Sequence, residues 1–213
     1  MQYLQDMANR IRINAVTAVY SAKSGHPGGS LSIADVLSYL YFKEMNIDPK
    51  NPRMEDRDRF VMSKGHCAPA LYGVLALKGY FPEEDLKTFR KIDSILQGHP
   101  EMKHIPGVDM TTGSLGLGVS AATGMAVSGK IFHKDYRVYA ALGDGEIEEG
   151  QVWEAMMFAS HYQLDNLCVV LDLNGLQIDG PTKEVMNSAP ADEKFKAFGL
   201  HVINIDGHDF NQI

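Results

Sequence analysis

An aspartate and an asparagine, each next to a glycine, stand at the two ends of one segment of this 213-residue chain. Asp144 lies in GDG directly after the apolar run YRVYAAL, and Asn174 lies in NG directly after NLCVVLDL. Carboxylate and amide oxygens suit Mg²⁺ or Ca²⁺ better than zinc, which prefers nitrogen and sulfur. Because only one of the two donors is charged, a bound dication would keep surplus positive charge and could hold an anionic cofactor such as a diphosphate.

The glycines beside the aspartate fit the same chemistry. Gly143 and Gly145 let the backbone come close to a ligand and donate N–H groups to it. The N-terminus of the following helix favours negative charge. Taken alone, GDG is equally compatible with a helix cap, because an aspartate after a strand often caps the next helix. The second polar residue, at the end of the next strand, favours the ligand site.

The elements that must position these residues form a strand–helix–strand unit. The sequence predicts strands at 136–142 and 166–173 with a helix between them over 148–162, and a third strand at 201–205 after a helical segment at 192–198. Alternating strands and helices indicate a parallel sheet with right-handed crossovers, in which consecutive strands end at the same edge. We therefore predict an α/β domain over 1–213, with an open parallel sheet covered by helices on both faces.

The first half of the chain is predicted to add further elements to this domain. Ser32 is expected to cap a helix over IADVLSYLYFKEM, and RFVMS (59–63) is a candidate strand. Further helices are predicted at 3–22, 69–80, 83–92 and 116–132.

Three histidines lie in glycine-flanked turns ahead of the GDG motif, namely His26 in GHPGG, His66 in KGHC and His99 in QGHP. A single loop histidine is usually only exposed, but three in this context favour an active-site role. Glu146 and Glu148 are interpreted as charges that compensate the dipole at a helix start.

The composition excludes several classes of protein. A formal charge of −7 argues against a surface for nucleic acid or acidic membranes. No apolar run reaches the length of a membrane span, and charges interrupt the N-terminal segment, which excludes a signal-peptide core. Cys67 and Cys168 lie far apart in unrelated contexts and are expected to be reduced thiols. We predict a cytoplasmic protein.

Taken in order, several motifs resemble the transketolase family of thiamine diphosphate enzymes: SGHPGGSLSIADVL, SKGHCAPALY, QGHPE, TTGSLGLG, GDGEIEEG, NGLQIDG and IDGHD. The resemblance implies that Asp144 and Asn174 bind Mg²⁺ through their side chains and Leu176 through its carbonyl, with Ca²⁺ or Mn²⁺ as substitutes. It also implies a contact between Gly145 and the diphosphate.

The resemblance assigns roles to other positions as well. Gly113 and Leu115 resemble the residues that line the aminopyrimidine. His26, His66 and His99 resemble active-site histidines, of which His66 approaches the diphosphate. Glu149 and Glu154 match acidic positions that link the two active sites of a dimer.

The resemblance also implies a missing half. In the family, the glutamate that activates the cofactor belongs to a second, pyrimidine-binding domain, and a further motif follows DGHD; neither is present in this sequence. The expected protein is therefore the amino-terminal subunit of a split transketolase, working with a carboxy-terminal subunit on sugar phosphates as a dimer of such pairs. The open alternatives are a fragment of a longer chain, a related 1-deoxyxylulose-5-phosphate or dihydroxyacetone synthase, and a non-catalytic cofactor-binding module.

Overall fold

Three parallel strands form the central sheet in a computed structural model that describes residues 1–213. They are β1 (Arg59–Met62), β2 (Val138–Gly143) and β3 (Leu167–Asp172), in the order β1-β2-β3. In their register Arg59 pairs with Val138, and Gly143 pairs with Asp172. The two neighbouring strands β2 and β3 therefore end side by side, as the strand–helix–strand pattern predicts.

Helices cover both faces of this sheet. The α-helices are α1 (Gln2–Ala22), α2 (Pro27–Ser32), α3 (Ala34–Tyr39), α4 (Ala68–Lys78), α5 (Leu117–Ile131), α6 (Gly150–His161), α7 (Thr182–Val185) and α8 (Ala191–Ala197). A π-helical turn (Leu40–Glu44) and three 3₁₀ turns (Gly65–Cys67, Glu83–Thr88 and Glu146–Glu148) join them. A short antiparallel pair, β4 (Leu176–Gln177) and β5 (Gly180–Pro181), follows β3.

The alternation of side chains along β2 explains the layered architecture. Tyr139 and Ala141 belong to a core cluster of 27 buried residues that includes side chains of α1, α3 and α4. Val138, Ala140 and Leu142 belong to a second cluster of 16 buried residues that includes side chains of α5, α6 and α8. Since successive strand residues point to opposite faces, one central strand supplies both cores. The predicted α/β class with helices on both faces is confirmed.

Three sequence predictions about local structure are wrong. Residues 201–205 form no strand, because no backbone–backbone hydrogen bond involves them and Ile203 and Ile205 remain exposed. Ser32 does not cap the following helix; its hydroxyl donates instead to Asp172 Oδ1 at 2.8 Å. The 83–92 helix is reduced to one 3₁₀ segment. No helix combines the length and apolar character that crossing a membrane requires.

Candidate functional site

The ends of β2 and β3 bring Asp144 against the Asn174–Gly175 turn. The N–H of Gly175 donates to Asp144 Oδ2 at 2.7 Å, and the N–H of Gly145 donates to Oδ1 at 3.1 Å. Asn174 is exposed, and its Oδ1 accepts the N–H of Leu176 at 3.0 Å. The aspartate and the asparagine turn therefore meet at one edge of the sheet, as parallel-strand geometry requires.

The charge on Asp144 has no cationic partner. Asp144 is only 3% exposed, and no Lys, Arg or His lies within ion-pair distance of its carboxylate. Burial raises the pKa of this carboxyl group, against the opposing effect of the Gly175 and Gly145 N–H groups. A buried carboxylate of this kind gains most from a bound cation. No group of three His, Cys, Asp or Glu side chains is placed to bind a metal alone, so such a cation would need further oxygen ligands.

The three sequence-predicted histidines lie close to one another and to the 111–116 loop. The rings of His26 and His66 meet edge to face, with centroids 5.3 Å apart. His99 packs against Gly113, where a Cβ atom would approach the imidazole Cγ to 2.9 Å and φ is +143°. A glycine is thus required at 113 both by its backbone conformation and by the adjacent ring.

The environment lowers the pKa of two of these histidines, His66 and His99. Burial lowers the pKa of His66 most, and the neighbouring basic groups of His26, Lys64 and His99 lower it further in the same direction, to about 4, because each would repel a charged imidazole. Burial and the charges of Arg90 and His26 also lower the pKa of His99. At neutral pH His66 therefore offers one N–H donor and one acceptor nitrogen, without a charge.

A buried ion pair behind these groups is a feature that the sequence analysis missed. Lys64, 1% exposed, pairs with Asp172 at the end of β3, and its ammonium also donates to the Gly29 carbonyl at 3.3 Å. Lys64 extends β1, since its N–H donates to Ala141 of β2 at 3.1 Å. A lysine directly after an apolar strand, with an aspartate ending a strand of the same sheet, was the signal that could have revealed it.

The environment of Glu146 also differs from the prediction. It does not compensate a helix dipole at the start of α6, which begins at Gly150; it is 2% exposed and accepts three hydrogen bonds. Burial raises the pKa of this carboxyl group, and the hydrogen bonds from Ser63, Gly116 and Gly143 oppose that rise. Glu148 is exposed and accepts a hydrogen bond from Gln177 at 2.8 Å.

The remaining predicted positions surround this centre or lie on the surface of α6. Leu115 is half-buried in the 111–116 loop, and the backbone of Gly145 faces Gln177, whose Cβ a methyl group would meet at 3.3 Å. Glu149 and Glu154 are exposed on the first turns of α6. Glu154 borders an apolar groove together with Met157, Phe158, His161 and Tyr162.

Comparison with known proteins agrees with this geometry. The family model described as transketolase, thiamine diphosphate binding domain matches residues 4–213. A 6-deoxy-6-sulfo-D-fructose transketolase subunit from Clostridium sp. (strain MSTE9) is 50% identical over 210 residues, which are 99% of this chain and 76% of that subunit. One of the subunits of an apulose-4-phosphate transketolase from Phocaeicola vulgatus is 45% identical, with 99% and 74% covered.

Full-length transketolases match over a smaller share of their length. The human enzyme is 47% identical over all of this chain and 34% of its own length. The structure of transketolase from Leishmania mexicana superposes with a TM-score of 0.94 at 36% identity, over 98% of this chain and 33% of that one. The chain thus spans about three quarters of the two subunits and about one third of the complete enzymes. It belongs to the transketolase family, as a thiamine diphosphate-binding domain of the amino-terminal type.

Proposed function

We propose that this chain is the cofactor-binding subunit of a transketolase, which transfers a two-carbon ketol unit from a ketose phosphate to an aldose phosphate together with a pyrimidine-domain partner. The observation that carries the proposal is the contact of the uncompensated Asp144 carboxylate with the Asn174–Gly175 turn. Bound thiamine diphosphate would supply the nucleophilic carbon and the electron sink that ketol transfer requires.

The residues present fit Mg²⁺ and the diphosphate. Asp144, Asn174 and the carbonyl of Leu176 would hold the metal, which prefers oxygen ligands and few protein carboxylates when a phosphate shares the site. The backbone of Gly143 and Gly145 would approach the diphosphate. A Cβ atom at position 143 would lie 3.7 Å from Lys64 Cδ, and one at position 145 would lie 3.3 Å from Gln177 Cβ, so a larger residue at either position would crowd this part of the sheet edge. Ca²⁺ or Mn²⁺ would bind the same oxygens.

The other predicted residues would complete the site. Gly113 and Leu115 would line the aminopyrimidine, and His26, His66 and His99 would line the path of the sugar. Because the pKa of His66 is low, this imidazole would bind a phosphate or hydroxyl oxygen through an N–H group and would leave charge neutralisation to the metal.

A partner subunit is implied by the two transketolase subunits that resemble this chain over nearly its full length. An arrangement as a dimer of heterodimers, with Glu149 and Glu154 near the contact between copies, is part of the proposal. It is supported by the exposure of Met157 (58%), Phe158 (38%) and Tyr162 (51%), apolar side chains next to Glu154 on α6. A cytoplasmic location stays a prediction.

The test is a reconstitution assay. The chain would be mixed with a transketolase carboxy-terminal subunit, thiamine diphosphate and Mg²⁺, and the transfer from xylulose 5-phosphate to ribose 5-phosphate measured. A second donor, 6-deoxy-6-sulfofructose, follows from the name of the Clostridium subunit. Turnover should require both chains, with each chain alone as the control. Absence of turnover with either donor and any transketolase-like partner would contradict the proposal.

A further inference from the structure

Three backbone segments of the candidate site meet at one buried carboxylate, that of Glu146. Oε1 accepts the hydroxyl of Ser63 at 2.5 Å and the N–H of Gly116 at 2.9 Å. Oε2 accepts the N–H of Gly143 at 3.2 Å. These donors belong to the residue after β1, the residue before α5 and the last residue of β2. One side chain thus connects segments that are far apart in the sequence.

The hydrogen bonds have a fixed direction. The N–H of Val119 donates to Ser63 Oγ at 3.0 Å, so the hydroxyl proton of Ser63 is free to point to Glu146. All three groups around the carboxylate are therefore donors, and each needs an acceptor. An amide in the same place would offer only one acceptor oxygen, and its NH₂ group would face at least one of the three donors.

Filling the volume is not a sufficient reason for this residue. Glu146 is 2% exposed, and no Lys, Arg or His lies within ion-pair distance of its carboxylate. An apolar side chain of similar size would pack there without burying a charge. What the carboxylate adds is its three hydrogen bonds, to Ser63, Gly116 and Gly143.

These connections join the two halves of the proposed cofactor site. Gly116 closes the loop that carries Gly113 and Leu115, whereas Gly143 directly precedes Asp144. We propose that Glu146 is a positioning residue that fixes the separation between the aminopyrimidine side and the diphosphate side of the site. This inference rests on the proposed function, and it concerns the coupling of the two halves, which the proposed function does not specify.

The test compares a ligand that spans both halves with one that occupies a single half. Binding of thiamine diphosphate and of inorganic pyrophosphate, each with Mg²⁺, would be measured by calorimetry on the full chain, alone and with its partner subunit. The variants are Glu146→Gln and Ser63→Ala, and Glu193→Gln, an exposed residue of α8, is the matched control. Ser63→Ala weakens the same connection without changing charge, and it serves alone if Glu146→Gln does not fold.

We expect thiamine diphosphate to bind about 10-fold more weakly to each site variant, because a buried donor is left without its acceptor or the connection is broken. Pyrophosphate should lose less than about threefold, since it needs only one of the two halves. Equal losses for both ligands would show a merely structural role and overturn the inference, as would unchanged affinities. Failure of the unaltered chain to bind either ligand would instead contradict the proposed function.

Discussion

Replacing Lys64 with methionine should destabilise the protein far more than the loss of one surface charge would. The ammonium is 1% exposed and pairs with Asp172, whose side chain is 10% exposed. Removal of one partner leaves the other charge buried without compensation, which typically costs about 3–5 kcal/mol. Asp172 keeps the hydroxyl of Ser32 as a donor at 2.8 Å. We therefore expect the lower end of that range, about 3 kcal/mol.

The assay is thermal and urea denaturation followed by circular dichroism. For a chain of this size, about 3 kcal/mol corresponds to a decrease in Tm of roughly 6–12 °C. The double variant Lys64→Met/Asp172→Asn should recover much of this loss, because no unpaired charge remains. Lys130→Met is the matched control, since Lys130 and Asp165 form an exposed pair that solvent screens.

A Tm for Lys64→Met within about 1 °C of the unaltered protein would refute the reasoning, because a broken buried pair should shift it far more. The same loss with and without the Asp172→Asn change would also refute it, because removal of the unpaired charge should restore part of the stability.

Three further predictions follow from the geometry of the site. The pKa of His66 is about 4 in the folded chain and about 6.5 when exposed, so the stabilisation that comes from keeping this imidazole neutral is lost as the pH falls from about 6.5 towards 4. His66→Asn should reduce the loss of unfolding free energy between about pH 7 and pH 4.5 by about 1–2 kcal/mol, measured by urea titrations at the two pH values. Burial raises the pKa of the Cys67 thiol to about 11, so in a Cys168→Ser background a thiol reagent should react only after denaturation. Gly118→Ala should destabilise the protein by about 1–3 kcal/mol in thermal denaturation, since the new Cβ would lie 2.6 Å from the Ser63 Cα atom at the end of β1. The control is Gly124→Ala on the same helix, which meets no atom within 4 Å and should be neutral or stabilising.

The sequence was sufficient where local pattern and topology agree. The apolar runs before Asp144 and Asn174 become adjacent parallel strands, and their register brings the two ends together. This convergence follows from chain connectivity, so it needs no knowledge of side-chain packing. Gly113 was named only through the family resemblance, and its contact with the aminopyrimidine stays a prediction; the structure shows the ring of His99 against its backbone.

The errors arose where long-range contacts decide the outcome. HVINI has the composition of a strand, yet its backbone has no neighbouring strand to pair with. Glu146 was interpreted from its position before a helix, but donors from residues 30 and 83 positions away determine its role. The pairing of Lys64 with Asp172, 108 residues apart, is equally invisible to local patterns.

The central claim is that Asp144 binds the metal that holds the diphosphate of the cofactor. Its most direct test is a calorimetric titration of thiamine diphosphate with and without Mg²⁺, on the unaltered chain and on Asp144→Ala, with the exposed Asp6→Ala as control. We predict that Mg²⁺ strengthens binding to the unaltered and control chains, and that Asp144→Ala loses about 100-fold in affinity and all dependence on the metal. Metal-dependent binding to Asp144→Ala at the unaltered affinity would contradict the claim.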